Sequence, residues 1–169
     1  RIADYIPHFA NDEKRHITLF HLLTHTSGLP AYLPLYRLCD GYHDAIRYIS
    51  EIGLEYAPGE KVVYSDLGFI LLGYILEKIG EARLDELCAR YVFEPLGMEH
   101  TCYNPKTDNV AATEVDSRTG EVLMGRCHDE NARFFGGISG HAGLFSNIGD
   151  LVRFSSMLIN KGATAEGQF

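Results

Sequence analysis

Apolar residues recur at helical spacing through the first half of the chain. The stretch ITLFHLLTHTSGLP predicts a short helix that begins at about Thr18 and ends at the turn of Ser27 and Gly28, before Pro30. The stretch YHDAIRYISEIG also places its apolar residues on one helical face, and Gly53 stands where a C-cap is expected. We expect these two helices to pack together.

The longest apolar run, Leu67 to Ile79, predicts a buried helix because it is apolar on nearly every side, and Gly80 ends it. A fourth helix is predicted from about Ala82 to Phe93, with one stripe that carries Leu84, Leu87, Cys88, Tyr91 and Val92. The apolar run is well short of the ~20 residues that a membrane-spanning helix requires. We therefore expect no membrane-spanning segment in this chain.

The second half has a different pattern. Short β-branched runs surround turn residues in ATEVDSRTGEVLMG, which predicts a hairpin whose loop is Ser117 to Gly120. Arg118 begins an R-T-G triplet that is similar to a catalytic K-T-G motif, but we interpret it as a turn. A glycine-dense loop, GGISGHAG, then precedes a helix predicted from about Ile148 to Lys161, with Asn147 and Asp150 as a capping box.

These elements indicate one helix-rich domain with a small strand component. Residues 1 to about 97 form the predicted helical region, and about 98–169 form a strand and loop region that ends in a helix. The chain has 169 residues, enough for a substantial core, and 46% of them are hydrophobic. Its net charge is −8 and it has no Lys/Arg run, so a nucleic-acid partner is disfavoured.

Motifs for several kinds of chemistry are missing from these residues. No Ser is followed by Lys three residues later, and no G-x-S-x-G nucleophile elbow is present. His128, Asp129, Glu130 and His141 could be read as metal ligands, but three of them are consecutive and would not easily converge on one ion. We expect no metal and no cofactor.

Tyr64 and Asp66 stand two residues apart, directly before the long apolar helix. In extended chain they would point to the same side and could share a pocket. The alternative is that Asp66 or Ser65 only caps the helix that follows. The pattern leaves both interpretations open.

Several stretches resemble the class C β-lactamase and penicillin-binding-protein family of serine hydrolases. The stretches follow the family's order over almost the whole chain: RIADYIPHF, ITLFHLLTHTSGLP, VVYSDLGFILLGYILEKIG, YVFEPLGME and GHAGLFSNIGDLVRFSSMLINKG. The stretch CHDENARFFGGISGHAGLFS is similar to a branch related to cell-wall amidases and low-molecular-weight penicillin-binding proteins. The resemblance implies an α+β fold of the β-lactamase/DD-peptidase (transpeptidase-like) type, of which this chain is a helix-rich part.

The resemblance also implies that the serine of S-x-x-K lies before the position of Arg1 and the K-T-G or H-x-G motif after Phe169. The chain begins without Met and is expected to be an excised piece, inactive alone, whose partner is the remainder of its own domain. A small-molecule or cell-wall peptide substrate and a location in the cell envelope are implied in the same way.

By the same resemblance, Tyr64 matches the tyrosine of Y-x-N, which relays protons between the serine and the leaving group. Asp66 replaces the asparagine of that motif. An ionised Asp accepts hydrogen bonds but cannot donate them, and it would raise the pKa of a neighbouring lysine and weaken that lysine as a base. We therefore expect slow hydrolysis of β-lactams.

Three further residues are candidates for substrate binding. Tyr32 aligns with a substrate-contacting position of the family, whereas His141 and Asn131 are weaker candidates. For these two we favour the alternative that their hydrogen bonds tie loops to the sheet. The functions left open are an acyl-serine hydrolase of cell-wall peptides or related amides, an esterase on the same scaffold, and a non-catalytic binding relative.

Overall fold

A computed structural model describes residues 1–117, 119–164 and 167–168, so the prediction for Arg118 lies outside the described residues. Seven α-helices occur in this part of the chain: α1 Leu19–Leu23, α2 Leu35–Leu38, α3 Tyr42–Glu51, α4 Asp66–Gly80, α5 Leu84–Cys88, α6 Glu130–Phe134 and α7 Ile148–Ile159. Six short strands accompany them: β1 Cys102–Tyr103, β2 Ala112–Val115, β3 Val122–Met124, β4 Leu144–Phe145, β5 Ala163–Thr164 and β6 Gly167–Gln168. The α+β class and the helix-rich character are as predicted.

Helix α4 is the centre of the main core. Its buried residues Leu67, Ile70 and Leu71 have no exposed surface, and α1, α3 and α5 all pack against it. The expectation that the first two predicted helices pack together stays a prediction; α1 and α3 each pack on α4 and contribute residues to the same core. A helix that is apolar all round can bury several faces at once and so becomes the common partner. No helix among the described residues is both long and apolar enough to cross a bilayer.

The fourth predicted helix is present but changes its winding. After α5 a π-helical segment runs from Ala89 to Phe93, and the amide of Glu94 donates to the carbonyl of Ala89 at 2.9 Å. The wider turn rotates the residues that follow, so Tyr91 is 58% exposed while Phe93 is only 8% exposed. The stripe predicted for this helix is therefore not buried as one face, since Tyr91 lies at the surface. Phe93 instead joins a small second core with Leu96, Met98 and Met157.

The strands form three two-stranded antiparallel ribbons. Strand β2 pairs with β3 as the predicted hairpin, with Val115 opposite Val122. Strand β1 pairs with β4, with Cys102 opposite Phe145, and this pairing brings the residues after the glycine-rich loop next to the start of the second half. The third ribbon, β5 with β6, follows α7.

The N-terminus of α7 is capped as predicted only in part. The side chain of Asn147 accepts a hydrogen bond from the amide of Asp150 at 2.8 Å. The carboxylate of Asp150 is not used for the reciprocal bond of a capping box. It is fully buried and accepts from the amide of His100 and the hydroxyl of Thr101, both at 2.8 Å. Asp150 therefore joins α7 to the segment that leads into β1.

Candidate active site

The segment that carries Tyr64 is held by the loop that follows α1. The amide of Val63 donates to the carbonyl of His25 at 2.9 Å, and the amide of Asp66 donates to the carbonyl of Ala31 at 3.0 Å. Between them, the amide of Ser65 donates to Nδ1 of His25 at 3.1 Å. These three hydrogen bonds fix the backbone of the segment, although it is not part of a sheet.

Side chains along this segment alternate between the interior and the surface. Ser65 is 1% exposed, and its hydroxyl donates to the carbonyl of Pro30 at 2.7 Å. Tyr64 is 67% exposed, and one face of its ring contacts the imidazole of His25, with the ring centroids 4.6 Å apart. The phenol therefore lies at the surface, where a reacting group could reach it, and not among aliphatic side chains.

The capping alternative for this segment is not supported. Ser65 is the N-cap residue of α4, but its side chain makes no capping hydrogen bond. Asp66 is the first residue of α4, where a negative charge is favourable near the helix dipole. Among the described residues, no hydrogen-bond donor is recorded for the Asp66 carboxylate. This side chain is half-buried and is available to a group from outside the described residues.

Two residues from the second half of the chain lie beside Asp66. One side-chain ligand atom each of Asp66, Asp129 and His141 lies within 4.8 Å of the other two. Burial raises the pKa of the Asp66 carboxyl; His141 and His25 oppose this rise, and Asp129 adds to it. Burial alone would also raise the pKa of Asp129, but hydrogen bonds from His141 and from the amide of Ala132 lower it overall. The pKa of Asp66 is therefore raised and the pKa of Asp129 is lowered, each relative to its ordinary value.

The imidazole of His141 is part of a hydrogen-bonded chain. Its side chain is 2% exposed, and its Nε2 lies 2.9 Å from Oδ1 of Asp129. Its Nδ1 lies 2.8 Å from the hydroxyl of Ser139. Since both ring nitrogens are engaged, this cluster is better explained as a hydrogen-bond network than as a metal site. The order Ser–His–Asp is that of a nucleophilic triad, but Ser139 is only 2% exposed and would be hard for a substrate to reach.

Close backbone packing brings His141 to this position. A Cβ added at Gly140 would stand 2.1 Å from the carbonyl oxygen of Phe69 in α4, and one added at Gly73 would stand 3.1 Å from the amide nitrogen of Gly140. The glycine-rich loop therefore lies directly against α4, as only residues without a side chain allow. His141 follows immediately and lies beside the first turn of that helix.

Tyr32 lies on the loop between α1 and α2 and is 44% exposed. Its pKa is raised, first by burial and then by neighbouring groups that include Tyr36, Glu130 and Asp129. These neighbours place its hydroxyl on the same side of the molecule as the Asp129 and His141 pair. Its contact with a substrate stays a prediction.

Asn131 is placed differently from the other candidates. It has no exposed surface, its Nδ2 donates to the carbonyl of Leu33 at 2.8 Å, and its Oδ1 accepts from the amide of Tyr36 at 3.2 Å. These bonds tie α6 to α2, which favours the anchoring alternative over direct substrate contact. The hydrogen bonds of Asn131 thus run to α2 and the loop before it, whereas the sequence predicted a tie to a sheet.

The candidate site is an open face of the described structure. A crevice of about 730 Å³ lies between residues 99–113 and 145–147, and one of about 550 Å³ lies beside α7. Neither crevice includes Tyr64, Asp66 or His141. We call the surface that carries Tyr64, Asp66, Asp129 and His141 the wall, and a closed pocket around it would need a second wall.

Sequence reasoning missed two contributors to this wall. The sequence groups Asp129 with His128, Glu130 and His141 only as possible metal ligands, although its place as the N-cap of α6, where it accepts from the amide of Ala132, is a local signal. The second contributor is His25, which is not among the candidate residues named from the sequence. Its φ of 55° is a left-handed conformation that no sequence signal at this position predicts.

A family model described as Beta-lactamase matches residues 1–168. A protein of Escherichia coli (strain K12), provisionally named D-alanyl-D-alanine carboxypeptidase, is 35% identical over 198 aligned residues, which cover 99% of this chain and 46% of that protein. The N-acetylmuramyl-L-alanine amidase of Bacillus subtilis (strain 168) is 35% identical over 193 residues, covering 96% of this chain and 44% of that enzyme.

A solved structure of a class C beta lactamase superposes with a TM-score of 0.76 at 21% identity, over 99% of this chain and 44% of that one. This likeness concerns the fold. The chain spans a little less than half the length of each of these proteins.

Proposed function

The chain belongs to the beta-lactamase family, and from this premise we propose that it forms one wall of the active site of a serine hydrolase that acts through an acyl-enzyme. The substrates would be cell-wall peptides or related amides, and β-lactams would be turned over slowly. The nucleophilic serine and its lysine would come from the remainder of the parent protein, and this chain alone would be inactive.

The observation that carries the proposal is the setting of Tyr64. Its phenol is 67% exposed, its backbone is anchored on both sides, and the carboxylate of Asp66 lies two residues away with no donor among the described residues. A phenol titrates near ~10 and needs a cationic neighbour to act as a base at neutral pH. A lysine placed between Tyr64 and Asp66 would supply that cation and would satisfy the free carboxylate.

The steps follow from these groups. The serine hydroxyl would attack the carbonyl carbon while Tyr64, with the lysine, takes its proton and passes it to the leaving nitrogen. Water would then attack the acyl-enzyme, and its proton would return to the serine oxygen along the same route. Asp66 would hold the lysine in its charged form, which weakens it as a base and slows β-lactam hydrolysis.

The names of the relatives favour amide substrates of the cell wall. One is named as a carboxypeptidase acting at D-alanyl-D-alanine and another as an N-acetylmuramyl-L-alanine amidase. Both names describe amide bonds of peptidoglycan peptides. Tyr32, at the edge of the wall, would contact the substrate. His141 would not contact it directly but would influence the site through its hydrogen bond to Asp129 and its charge beside Asp66.

The test uses the intact parent protein with a fluorescent penicillin, followed by mass spectrometry of the labelled peptide. We expect label on a serine outside this chain, and we expect Tyr64→Phe to slow labelling by about 100-fold, the usual scale for the loss of a general acid–base group. Tyr91→Phe is the matched control, because Tyr91 is 58% exposed and its ring contacts the side chain of Arg90 in the π-helical segment. It should label at the wild-type rate.

Other outcomes would change the conclusion. Activity on short-chain esters with no hydrolysis of muropeptides would replace the proposal with the esterase alternative. A parent protein that neither labels nor hydrolyses either substrate would be the non-catalytic relative.

A further inference from the structure

His25 combines an unfavourable backbone conformation with several contacts to the Tyr64 segment. Its φ of 55° lies in the left-handed region, which residues with a side chain adopt rarely and mostly where the surroundings require it. In this conformation its carbonyl receives the amide of Val63 at 2.9 Å, while its Nδ1 receives the amide of Ser65 at 3.1 Å. One residue therefore holds both neighbours of Tyr64.

The ring of His25 also contacts the ring of Tyr64 itself. The imidazole lies between Tyr64 and Phe69, with centroid distances of 4.6 and 5.0 Å and interplanar angles of 36° and 25°. Phe69 belongs to α4, so the stack rests on the central helix of the core. The Tyr64 ring is thus supported on one face by a ring that is itself fixed, and it is otherwise exposed.

The hydrogen bond from Ser65 also fixes the tautomer of His25. An imidazole nitrogen that accepts an amide hydrogen carries no proton of its own, so the proton of a neutral ring must be on Nε2. The orientation of the ring is then set by Nδ1 on one side and by the Phe69 stack on the other. No rotation about the side-chain torsions keeps both contacts.

We propose that His25 is a positioning residue for Tyr64: its carbonyl, Nδ1 and ring together set the direction in which the phenol oxygen points. The role rests on the proposed function, because it matters for activity only if Tyr64 transfers protons. It differs from a general anchoring role of the loop, since an anchor would affect stability and not the orientation of one ring. Displacement of a proton-transfer group by about 1 Å is sufficient to lower turnover strongly.

The orientation of Tyr64 is tested by ¹⁹F NMR of the intact parent protein labelled with 3-fluorotyrosine. The Tyr64 resonance is identified by its loss in Tyr64→Phe. We expect His25→Asn to broaden this resonance as the Tyr64 ring loses its single orientation, because Asn tolerates the left-handed conformation and can accept from Ser65 but supplies no ring; a shift without broadening would follow from the lost ring current alone. His25→Gly, which has no strain at this φ, should broaden it at least as much.

His21→Asn is the matched control. The imidazole of His21 also accepts a backbone amide through Nδ1, from Thr18 at 3.3 Å, but its ring has no recorded contact with Tyr64. This variant should leave the Tyr64 resonance where it is. A resonance that is not broadened in either His25 variant, or is broadened equally by His21→Asn, would overturn the proposal.

Activity is measured on the same proteins. We expect kcat for the acyl substrate to fall by about 10- to 100-fold in His25→Asn with KM changed by less than about twofold. A rise in KM with kcat unchanged would indicate a structural role and overturn the proposal. A loss of activity that is explained by unfolding of the variant would do the same. If the wild-type parent has no activity, the proposed function fails, and the NMR comparison still decides whether His25 orients Tyr64.

Discussion

At the scale of single residues, Asp66 has the most unusual electrostatic setting in the wall. Its carboxylate is half-buried at the start of α4, close to a second carboxylate, that of Asp129. Burial raises its pKa, and the neighbouring charge of Asp129 raises it further, although His141 and His25 act in the opposite direction. Folding therefore disfavours the ionised form of Asp66 relative to the unfolded chain, unless a cation from elsewhere approaches the carboxylate.

We expect Asp66→Asn to stabilise the 169-residue chain at neutral pH, by less than about 1 kcal/mol because solvent screens a half-exposed group. The sign follows from linkage: since the pKa is raised on folding, the folded state holds this proton to higher pH, and stability falls as pH rises from the unfolded pKa to the folded pKa. The stabilisation by Asp66→Asn should reach its full size at pH values above the pKa of Asp66 in the folded protein. It should vanish at pH values below the ordinary pKa of an Asp side chain. Urea unfolding of both proteins over this pH range measures it.

Asp12→Asn is a suitable control, since that side chain is 96% exposed and pairs only with Arg15 at the surface. It should change stability little at any pH. A destabilised Asp66→Asn chain would show that Asp66 is already paired favourably within the chain, and a gain that persists at acid pH would show that the gain does not come from the charge of Asp66.

At the scale of elements, the contact between α4 and the glycine-rich loop decides where the wall forms. Gly140 lies against the backbone of Phe69 so closely that no side chain fits. The loop is further shaped by Gly137 and Gly143, whose φ values of 81° and 112° favour glycine. This contact brings His141 from the second half of the chain to the first turn of α4.

We expect Gly140→Ala to lower the free energy of unfolding by about 2–3 kcal/mol, because its Cβ would lie 2.1 Å from the Phe69 carbonyl oxygen and the backbone would have to move. Gly53→Ala is the control, since no atom lies within 4 Å of a Cβ there, and it should change stability by less than about 0.5 kcal/mol. Urea unfolding compares them. An equal effect of the two substitutions would contradict the close approach of loop and helix.

At the scale of the whole molecule, one face of α7 is apolar and uncovered. Ile148, Val152 and Ile159 are 82%, 57% and 80% exposed and follow one another on the same side of the helix. Exposed apolar patches of this kind mark surfaces that contact another part of a protein. We interpret this face as one on which the remainder of the parent domain packs.

We expect a triple variant with Ile148, Val152 and Ile159 changed to Lys to bind less of the dye ANS and to aggregate less as the 169-residue chain. In the parent protein the same changes should lower stability by several kcal/mol, at about 1–2 kcal/mol for each apolar side chain that loses its cover. Ser156→Lys, at the edge of the face, is the control. A parent protein that tolerates the triple variant without loss of stability would contradict the packing role.

The sequence by itself determined the local features of this protein. Period and capping residues are short-range signals, so the long apolar helix, the β2–β3 hairpin and the Asn147 cap were all predictable. The ordered set of motifs was sufficient to identify the family. Tyr64 and Asp66 were found because they are neighbours in the chain.

Only the tertiary structure decided which distant residues join them. Asp129 and His141 reach Asp66 because glycine permits the loop to lie on α4, and His25 reaches Tyr64 because its own left-handed turn directs three groups to one segment. The π-helical segment that exposes Tyr91 likewise depends on packing. Such contacts depend on how closely two backbones can approach each other. This distance is set by the packed structure as a whole and cannot be predicted from a local pattern of residues.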